Sequence, residues 1–391
     1  MTKSQKSLTN TDALPLPSLL CHNARMSENT PSPITAQDKP QLPGMTLFEL
    51  QGLMAEWKQP KFRAKQVFDW CNKGVMNPDD MKNIAGDLRE RLKEELCCEP
   101  LNLIRRECST DGTRKYVFGL KRGRFAGKMV ESVFIPEEKR GTVCISSQVG
   151  CVLDCPFCHT GTQKFEANLS AGEILAQVLA IKADLRQEPL SEELEMYSDV
   201  THIVYMGMGE PMANEEAVHQ SIALFMHEDG LNISRRRITL STSGLVPQIR
   251  RLGEEQPVNL AISLHSATDE LRDVLVPINR KHPLAELRAC LNTYELAKQR
   301  HITLEYVLLD GVNDRPEDLQ ALIGFVNPER ERVNLIQFNP YPGSPYQGTS
   351  KDNMRQFAQH LISKGIRATV RRSRGDDIMA ACGQLKADTS L

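Results

Sequence analysis

The chain has 391 residues, enough for one large core and a smaller accessory unit, and its 48 basic and 50 acidic residues leave a formal net charge of −2. That balance excludes nucleic-acid binding by bulk charge, so any such contact must come from local patches. Eleven cysteines, odd in number and unevenly spread, exclude a disulfide framework and fit a reducing cytoplasm, and no apolar run nears the ~18 residues of a membrane helix.

Residues 1–43 hold six prolines and no aromatic residue, a composition that predicts a disordered tail. At Thr46 the pattern changes. Thr46-Leu47-Phe48-Glu49 is a capping-box signature, and Leu47, Leu50, Leu53 and Met54 follow at helical spacing. Further helices are expected over Phe62–Asn72 and Ala85–Leu96, which makes 44–98 a small helical module. A β-rich connector, 99–136, follows, with strands at Leu101–Arg105, Lys115–Leu120 and Val130–Ile135.

Residues 137–376 then repeat a strand–loop–helix rhythm. Strands are expected at Thr142–Ser146, His202–Met206, Arg237–Thr242, Asn259–Leu264, Thr303–Leu308 and Val333–Phe338. Helices are expected at Ser170–Leu185, Glu215–Glu228, Val246–Leu252, Leu284–Gln299, Pro316–Val326 and Met354–Lys364. The alternation reads as an α/β fold with a parallel sheet, either a partial barrel or doubly wound. Polar or glycine-rich residues at four strand ends favour the barrel, whose C-terminal strand ends form the site. These are Gly207–Pro211, Ser241–Gly244, Ser263–Ser266 and Asn339–Pro340. A C-terminal segment, 377–391, follows the core.

Cys151, Cys155 and Cys158, spaced C-x3-C-x2-C, come directly after the first core strand. Three thiolates at this spacing hold three irons of a four-iron, four-sulfur (4Fe-4S) cluster and leave the fourth iron open. An open position binds a substrate or cofactor, and the amino and carboxylate end of S-adenosylmethionine suits it. The alternative is a Cys3His zinc site with His159, although zinc folds usually bring ligands in two separated pairs. Gly207-Met208-Gly209-Glu210-Pro211 lets a ligand approach the backbone, with Glu210 as acceptor for an ammonium group; a plain tight turn is the competing reading. Ser241, Ser263 and His265 are candidates for the carboxylate and ribose, and Asn339 for the adenine or ribose.

Cys144 lies inside the first core strand, and Cys382 lies in a small-residue segment just after Arg371, Arg372 and Arg374. A thiol beside cations is a candidate low-pKa nucleophile, and each of the two also reads as an ordinary thiol. Four basic tracts stand out: Arg114 to Lys128, Lys364 to Arg374, Arg235–Arg237, and Lys61, Arg63 and Lys65. They read either as solvated faces or as a phosphate track on folded RNA.

Taken together, these motifs resemble those of the radical-SAM adenine-C2 methyltransferases of 23S ribosomal RNA and transfer RNA. The residues that carry the resemblance are the Cys151–Cys158 loop, Gly207–Pro211, Ser241-Thr242-Ser243-Gly244, Ile262–Ser266, Gln337-Phe338-Asn339-Pro340, Cys382-Gly383-Gln384-Leu385 and Phe62–Gln66. The resemblance implies a partial (β/α)6 radical-SAM barrel with an N-terminal helical accessory domain that binds RNA. It implies methylation at C2 of an adenosine in the peptidyl-transferase centre of 23S rRNA, and of the adenosine 3′ to the anticodon in tRNAs. Two S-adenosylmethionine molecules serve each turnover. Cys382 takes a methyl from one. The second, on a cluster held by Cys151, Cys155 and Cys158, supplies the radical that activates that methyl for addition to C2. Cys144 then attacks the sulfur of Cys382, leaving a transient disulfide. Gly209, Glu210, Ser241, Ser263, Leu264, His265 and Asn339 match the family's cofactor contacts, and Glu131 its proton acceptor. A flavodoxin-type electron donor and a cytoplasmic location fit the same picture, with a monomer as the default expectation. Two rivals remain: the sibling activity at C8 of the same ribosomal adenosine, and a non-catalytic iron–sulfur or zinc protein that binds RNA.

Overall fold

The computed structural model describes residues 39–387. Of the proline-rich 1–43 stretch, residues 1–38 lie outside the described residues. The remainder is ordered: Gln41 bridges Cys97, and Leu42 is buried in a short 3-10 turn. The capping box forms as its sequence requires, with Thr46 Oγ1 accepting from the Glu49 amide at 3.2 Å and the Glu49 carboxylate accepting from the Thr46 amide at 2.7 Å. It opens α1 (Leu47–Glu56), which is followed by α2 (Phe62–Asn72) and α3 (Gly86–Glu95). Their apolar faces, including Leu50, Met54, Val67, Phe68, Leu88 and Leu92, join the main core. Lys65 also reaches Asp229 of the core region at 2.6 Å.

The sheet comes next. β1 (Leu101–Cys108), β2 (Arg114–Leu120), β3 (Met129–Glu137) and β4 (Arg140–Cys144) form an antiparallel meander. A small hairpin of β5 (Gln148–Val149) and β6 (Ala167–Asn168) precedes α4 (Ala171–Gln187). Then follow β7 (His202–Tyr205), α5 (Glu215–Met226), β8 (Ile238–Thr242), α6 (Val246–Glu255) and β9 (Asn259–Ser263). After these come α7 (Asp269–Leu275), α8 (Leu284–Thr293), β10 (Ile302–Leu308), α9 (Pro316–Phe325), β11 (Glu331–Gln337), α10 (Lys351–Ser363) and β12 (Ala368–Arg371). Among the described residues, β1–β4 and β7–β12 make one ten-stranded sheet in that order, parallel from β4 onward. Every residue of β10 is buried, as expected of a strand covered on both faces.

The six expected core strands are present, and β12 adds a seventh parallel one inside a stretch read only as a basic tract. Side chains at every second position face one common space: Thr142 and Cys144, His202 and Val204, Thr303 and Glu305, Arg332 and Asn334, Thr369 and Arg371. Strands from both ends of the parallel run therefore enclose a lumen, and the sheet curls into a barrel. Among the described residues β12 pairs only with β11, so the barrel is incomplete. The helix expected over Leu284–Gln299 stops at Thr293, because the Tyr294 carbonyl accepts from Arg330 Nη2 at 2.5 Å while its ring packs beside Gly253. The short α7 was not anticipated.

Candidate active site

The cysteine loop leaves β4 and is pinched at its neck by the β5–β6 pair and a Cys151–Lys164 bridge. Gly150 makes this possible. Its φ is +72°, and a Cβ there would collide with the Lys164 carbonyl. Cys151, Cys155 and Cys158 line a cavity of roughly 1060 Å³ at the C-terminal strand ends. Burial pushes the Cys151 thiol up to about 12 and raises Cys155 and Cys158 as well. Three thiols desolvated in this way stay protonated unless a cation offsets the desolvation of their thiolates, and an iron centre is such a cation. His159, the fourth ligand of the zinc alternative, does not line this cavity. His159 Nδ1 sits 3.1 Å from the Gln384 carbonyl, and its ring stacks on Tyr341 at 4.6 Å.

The strand-end residues gather around the same cavity. Gly209, with φ +95°, lies so close to Gln148 that a Cβ would come within 2.5 Å of it. Glu210 is buried, and its carboxylate accepts from the amides of Met212 at 3.0 Å and Ser243 at 2.8 Å. Burial nevertheless holds its pKa above the usual carboxylate range. The Ser241 and Ser263 hydroxyls face each other at 3.5 Å. His265 takes the left-handed conformation, accepts from the Val307 amide at 3.1 Å and meets the Phe157 ring edge-on at 4.6 Å. Burial, helped by the Arg272 charge, lowers its pKa to about 3, so the ring is neutral. Leu264 does not line the cavity; both its backbone groups are engaged, the amide with Glu305 and the carbonyl with Arg272.

A second, larger space of roughly 1770 Å³ fills the lumen toward the N-terminal strand ends. Cys144 lines this lumen and not the cluster cavity, whereas Cys382, Asn339, Met206, Glu305 and Arg371 line both. Cys382 thus stands where the two chambers meet. Its backbone is fixed from several sides. Asn339 Nδ2 donates to the Cys382 carbonyl at 3.1 Å, and the His159 amide donates to the Gly383 carbonyl at 2.8 Å. Thr160 Oγ1 donates to the Leu385 carbonyl at 2.5 Å. Burial and the neighbouring Cys382 push the Cys144 thiol up to about 12.

Glu131 is buried on β3. It lines neither chamber; its carboxylate accepts from the Lys386 amide at 3.0 Å, and Lys115 stands 3.8 Å away. It anchors the segment that carries Cys382. The 114–128 tract is corrected, because much of it is neutralised. Arg114 and Lys115 are buried, Arg114 against Asp184 at 3.0 Å and Lys115 against Glu107 at 2.9 Å. Arg122 pairs with Glu173 and Lys128 with Glu166. Arg371 leaves the proposed RNA face altogether and turns into the site. Glu305 escaped the sequence reading, yet it is the lone acid in the apolar run Ile302–Leu308, a signal that was there to find; Arg371 was read as a cation near Cys382 but not as a strand residue facing the site.

Comparison with known proteins agrees with this geometry. The Radical SAM superfamily profile matches residues 145–323, and that of the ribosomal RNA large subunit methyltransferase N-terminal domain matches residues 41–98. A dual-specificity RNA methyltransferase RlmN of Rhizobium johnstonii is 46% identical over 365 residues, 90% of each chain. One of Bradyrhizobium diazoefficiens is 43% identical over 377 residues, 94% of each. The crystal structure of a radical SAM methyltransferase from Sphaerobacter thermophilus superposes with a TM-score of 0.83 at 41% identity, covering 89% of this chain and 100% of that one.

Proposed function

Because the chain belongs to the radical SAM superfamily and, within it, to the family of dual-specificity RNA methyltransferases, we propose that it methylates adenine C2 in 23S rRNA and in tRNAs, at the adenosine 3′ to the anticodon. C2 is an electron-poor amidine carbon that a cationic methyl donor does not alkylate directly. A cluster on Cys151, Cys155 and Cys158 together with S-adenosylmethionine supplies the one-electron chemistry and the methyl group that such a carbon needs.

The chain's own residues divide the remaining work. Gly209, Glu210, Ser241, Ser263 and His265 shape the cofactor chamber, with neutral His265 holding its ring as a hydrogen-bond acceptor. Cys382 carries the methyl at the junction, its backbone held by Asn339 and by the cysteine loop. Cys144, in the wall of the same lumen, attacks the Cys382 sulfur; the sulfur–sulfur bond forms as the carbon–sulfur bond breaks, and the product carbon keeps that electron pair and takes up a proton. The Cys144 proton must leave first, and the Arg371 charge beside both thiols favours that loss. Glu131 is the proton acceptor of this reading, and its carboxylate also anchors the Cys382 segment at the Lys386 amide.

The flipped adenine enters the lumen, where His202, Thr239, Thr303 and Asn334 offer polar edges and Arg140, Arg237, Arg332 and Arg372 meet phosphates at its mouth. The helical module, 44–98, adds Phe48 and Phe62, 83% and 56% exposed, with Arg63 over the Phe62 ring at 5.1 Å, a surface suited to stacking unpaired bases. This reading keeps 99–136 as a connector, 137–376 as the barrel and 377–391 as the methyl-carrying segment. It also keeps a monomer supplied by a flavodoxin-type donor in the cytoplasm; no described helix is long and apolar enough to cross a membrane.

The observation that carries the proposal is the position of Cys382, shared by the cluster chamber and the lumen. Two target RNAs accord with the relatives' shared description as dual-specificity enzymes, which the C8 sibling, with its single ribosomal target, does not match. Anaerobic reconstitution with rRNA and tRNA fragments, followed by mass spectrometry of nucleosides, tests it. 2-Methyladenosine in both supports the proposal; 8-methyladenosine or no product overturns it.

A further inference from the structure

Arg272, on α7, is among the largest fully buried side chains of the protein. An ionised guanidinium held out of water is costly unless its donors are met, and an apolar side chain usually fills such a space more cheaply. Here the donors are met by one distinctive set of acceptors. Nε donates to the Leu264 carbonyl at 3.1 Å, and Nη2 donates to the Ser243 carbonyl at 2.7 Å and the Ser263 carbonyl at 3.3 Å. Nη1 donates to Asn279 Oδ1 at 2.8 Å. Three of the four acceptors are backbone carbonyls at the ends of β8 and β9, the strands that bring Ser241, Ser263 and His265 to the cofactor chamber.

The charge has no direct counter-ion, although Asp269 and Asp273 act on it from a distance. Among the described residues, no carboxylate forms an ion pair with Arg272; Asp269 and Asp273 instead accept from Asn279 Nδ2 at 2.8 and 2.7 Å, one layer further out. On its other side α7 packs on the cysteine loop: Leu275 shares a buried apolar cluster with Cys155 and Leu271 packs against it, and a Cys155 thiolate is the leading charge felt by the guanidinium. A buried cation behind a cluster ligand stabilises the form of the cluster that carries one more electron, since reduction adds negative charge in a medium of low dielectric.

We propose that Arg272 is a positioning residue that ties the two cofactor-bearing strand ends together and, by its unpaired charge behind Cys155, makes the cluster easier to reduce. The inference rests on the reading of Cys151, Cys155 and Cys158 as cluster ligands.

The test uses the full chain reconstituted anaerobically, with three readouts: iron and sulfide content, cluster midpoint potential by electron paramagnetic resonance titration, and S-adenosylmethionine affinity. Arg272→Lys keeps the charge but cannot reach four acceptors at once, so affinity should fall about tenfold while the potential stays near that of the wild type. Arg272→Gln removes the charge and should lower both affinity and potential. Asp273→Asn keeps an acceptor for Asn279 while removing an outer negative charge, and should move the potential the opposite way, to less negative values. If Arg272→Gln fails to fold, the other two variants decide. Unchanged potentials in the charge variants at wild-type iron content, or unchanged affinity in Arg272→Lys, would overturn the inference. A wild-type chain that holds no cluster would instead overturn the underlying assignment.

Discussion

The cluster chamber is shaped by backbone, whereas the lumen beside it is shaped by side chains. In the former, glycines at 150, 161, 207 and 209 let loops approach where any Cβ would clash, and the carboxylate of Glu210 is spent on backbone amides. In the lumen, residues of six of the seven parallel strands project polar and charged groups into roughly 1770 Å³ of open space. The first arrangement suits a ligand of fixed shape that must be held in one pose. The second suits a large, charged substrate whose surroundings can adapt. Cys382 belongs to both, so it is where the comparison is broken most severely.

Replacing Cys382 with Ala should abolish methylated product while leaving cluster content and cofactor affinity at wild-type levels, as measured by iron analysis and binding titration. Replacing Cys144, which belongs to the lumen alone, should permit attack on the base and leave RNA covalently attached to the protein, visible as a shifted band in denaturing gels. Normal turnover in either variant would remove that thiol from the mechanism.

The difference between the chambers also explains what was legible in the sequence. Backbone-shaped sites need particular residues at fixed spacing, so the cysteine triplet, Gly207–Pro211 and the Ser-rich strand ends stood out at once. The six strands and most helices followed from apolar periodicity, and the Thr46 capping box fell where its pattern put it. Lumen residues carry no such spacing. Arg371 was hidden because β12 is four residues long and its arginine continues a basic run, so charge pattern outweighed strand pattern. Arg114 and Lys115 misled for the converse reason: their partners Asp184, Glu107 and Glu131 lie elsewhere in sequence, and only the folded sheet brings them together. The Glu131 contact with Lys386 joins positions 255 residues apart, beyond any local reading.

The next effect sharpens the backbone side. Gly150→Ala forces a side chain into the left-handed region and against the Lys164 carbonyl, a penalty on the order of 3 kcal/mol concentrated in the cysteine loop. Cluster occupancy should fall steeply while RNA affinity holds. Gly311→Ala, where a Cβ meets nothing within 4 Å, is the control for backbone strain without collision. Equal cluster content in Gly150→Ala and wild type would show that the loop is less tightly determined than its geometry indicates.

His265 gives a smaller, pH-dependent effect. Its folded pKa, about 3, lies below the unfolded value of ~6.5, so the unfolded chain takes up a proton that the folded chain refuses. Stability therefore falls as pH drops below ~6.5, by up to about 1.4 kcal/mol per pH unit from this group. Glu210 and Glu305, whose pKa values are raised by burial, act in the opposite sense above ~4.5. The difference between wild type and His265→Gln isolates the histidine. Denaturant melts of the variant between pH 5 and 7 should show a flatter pH profile than wild type, and parallel profiles would disprove the assignment.

The mildest test lies at the lumen mouth. Arg372 is exposed, lines the lumen and forms no ion pair among the described residues, whereas Arg114 is buried against Asp184. Each exposed arginine on a phosphate releases about one counterion on binding, so removing one should weaken RNA binding several-fold and lower the salt slope by somewhat under one. Arg372→Ala should do this uniformly across rRNA and tRNA fragments, because a phosphate contact carries no sequence information. Arg124→Ala, exposed itself but on a tract whose neighbours Arg122 and Lys128 are ion-paired, should change the slope less. An unaltered slope in Arg372→Ala, with Arg124→Ala the more affected, would move the RNA from the lumen mouth to the outer face of the antiparallel strands.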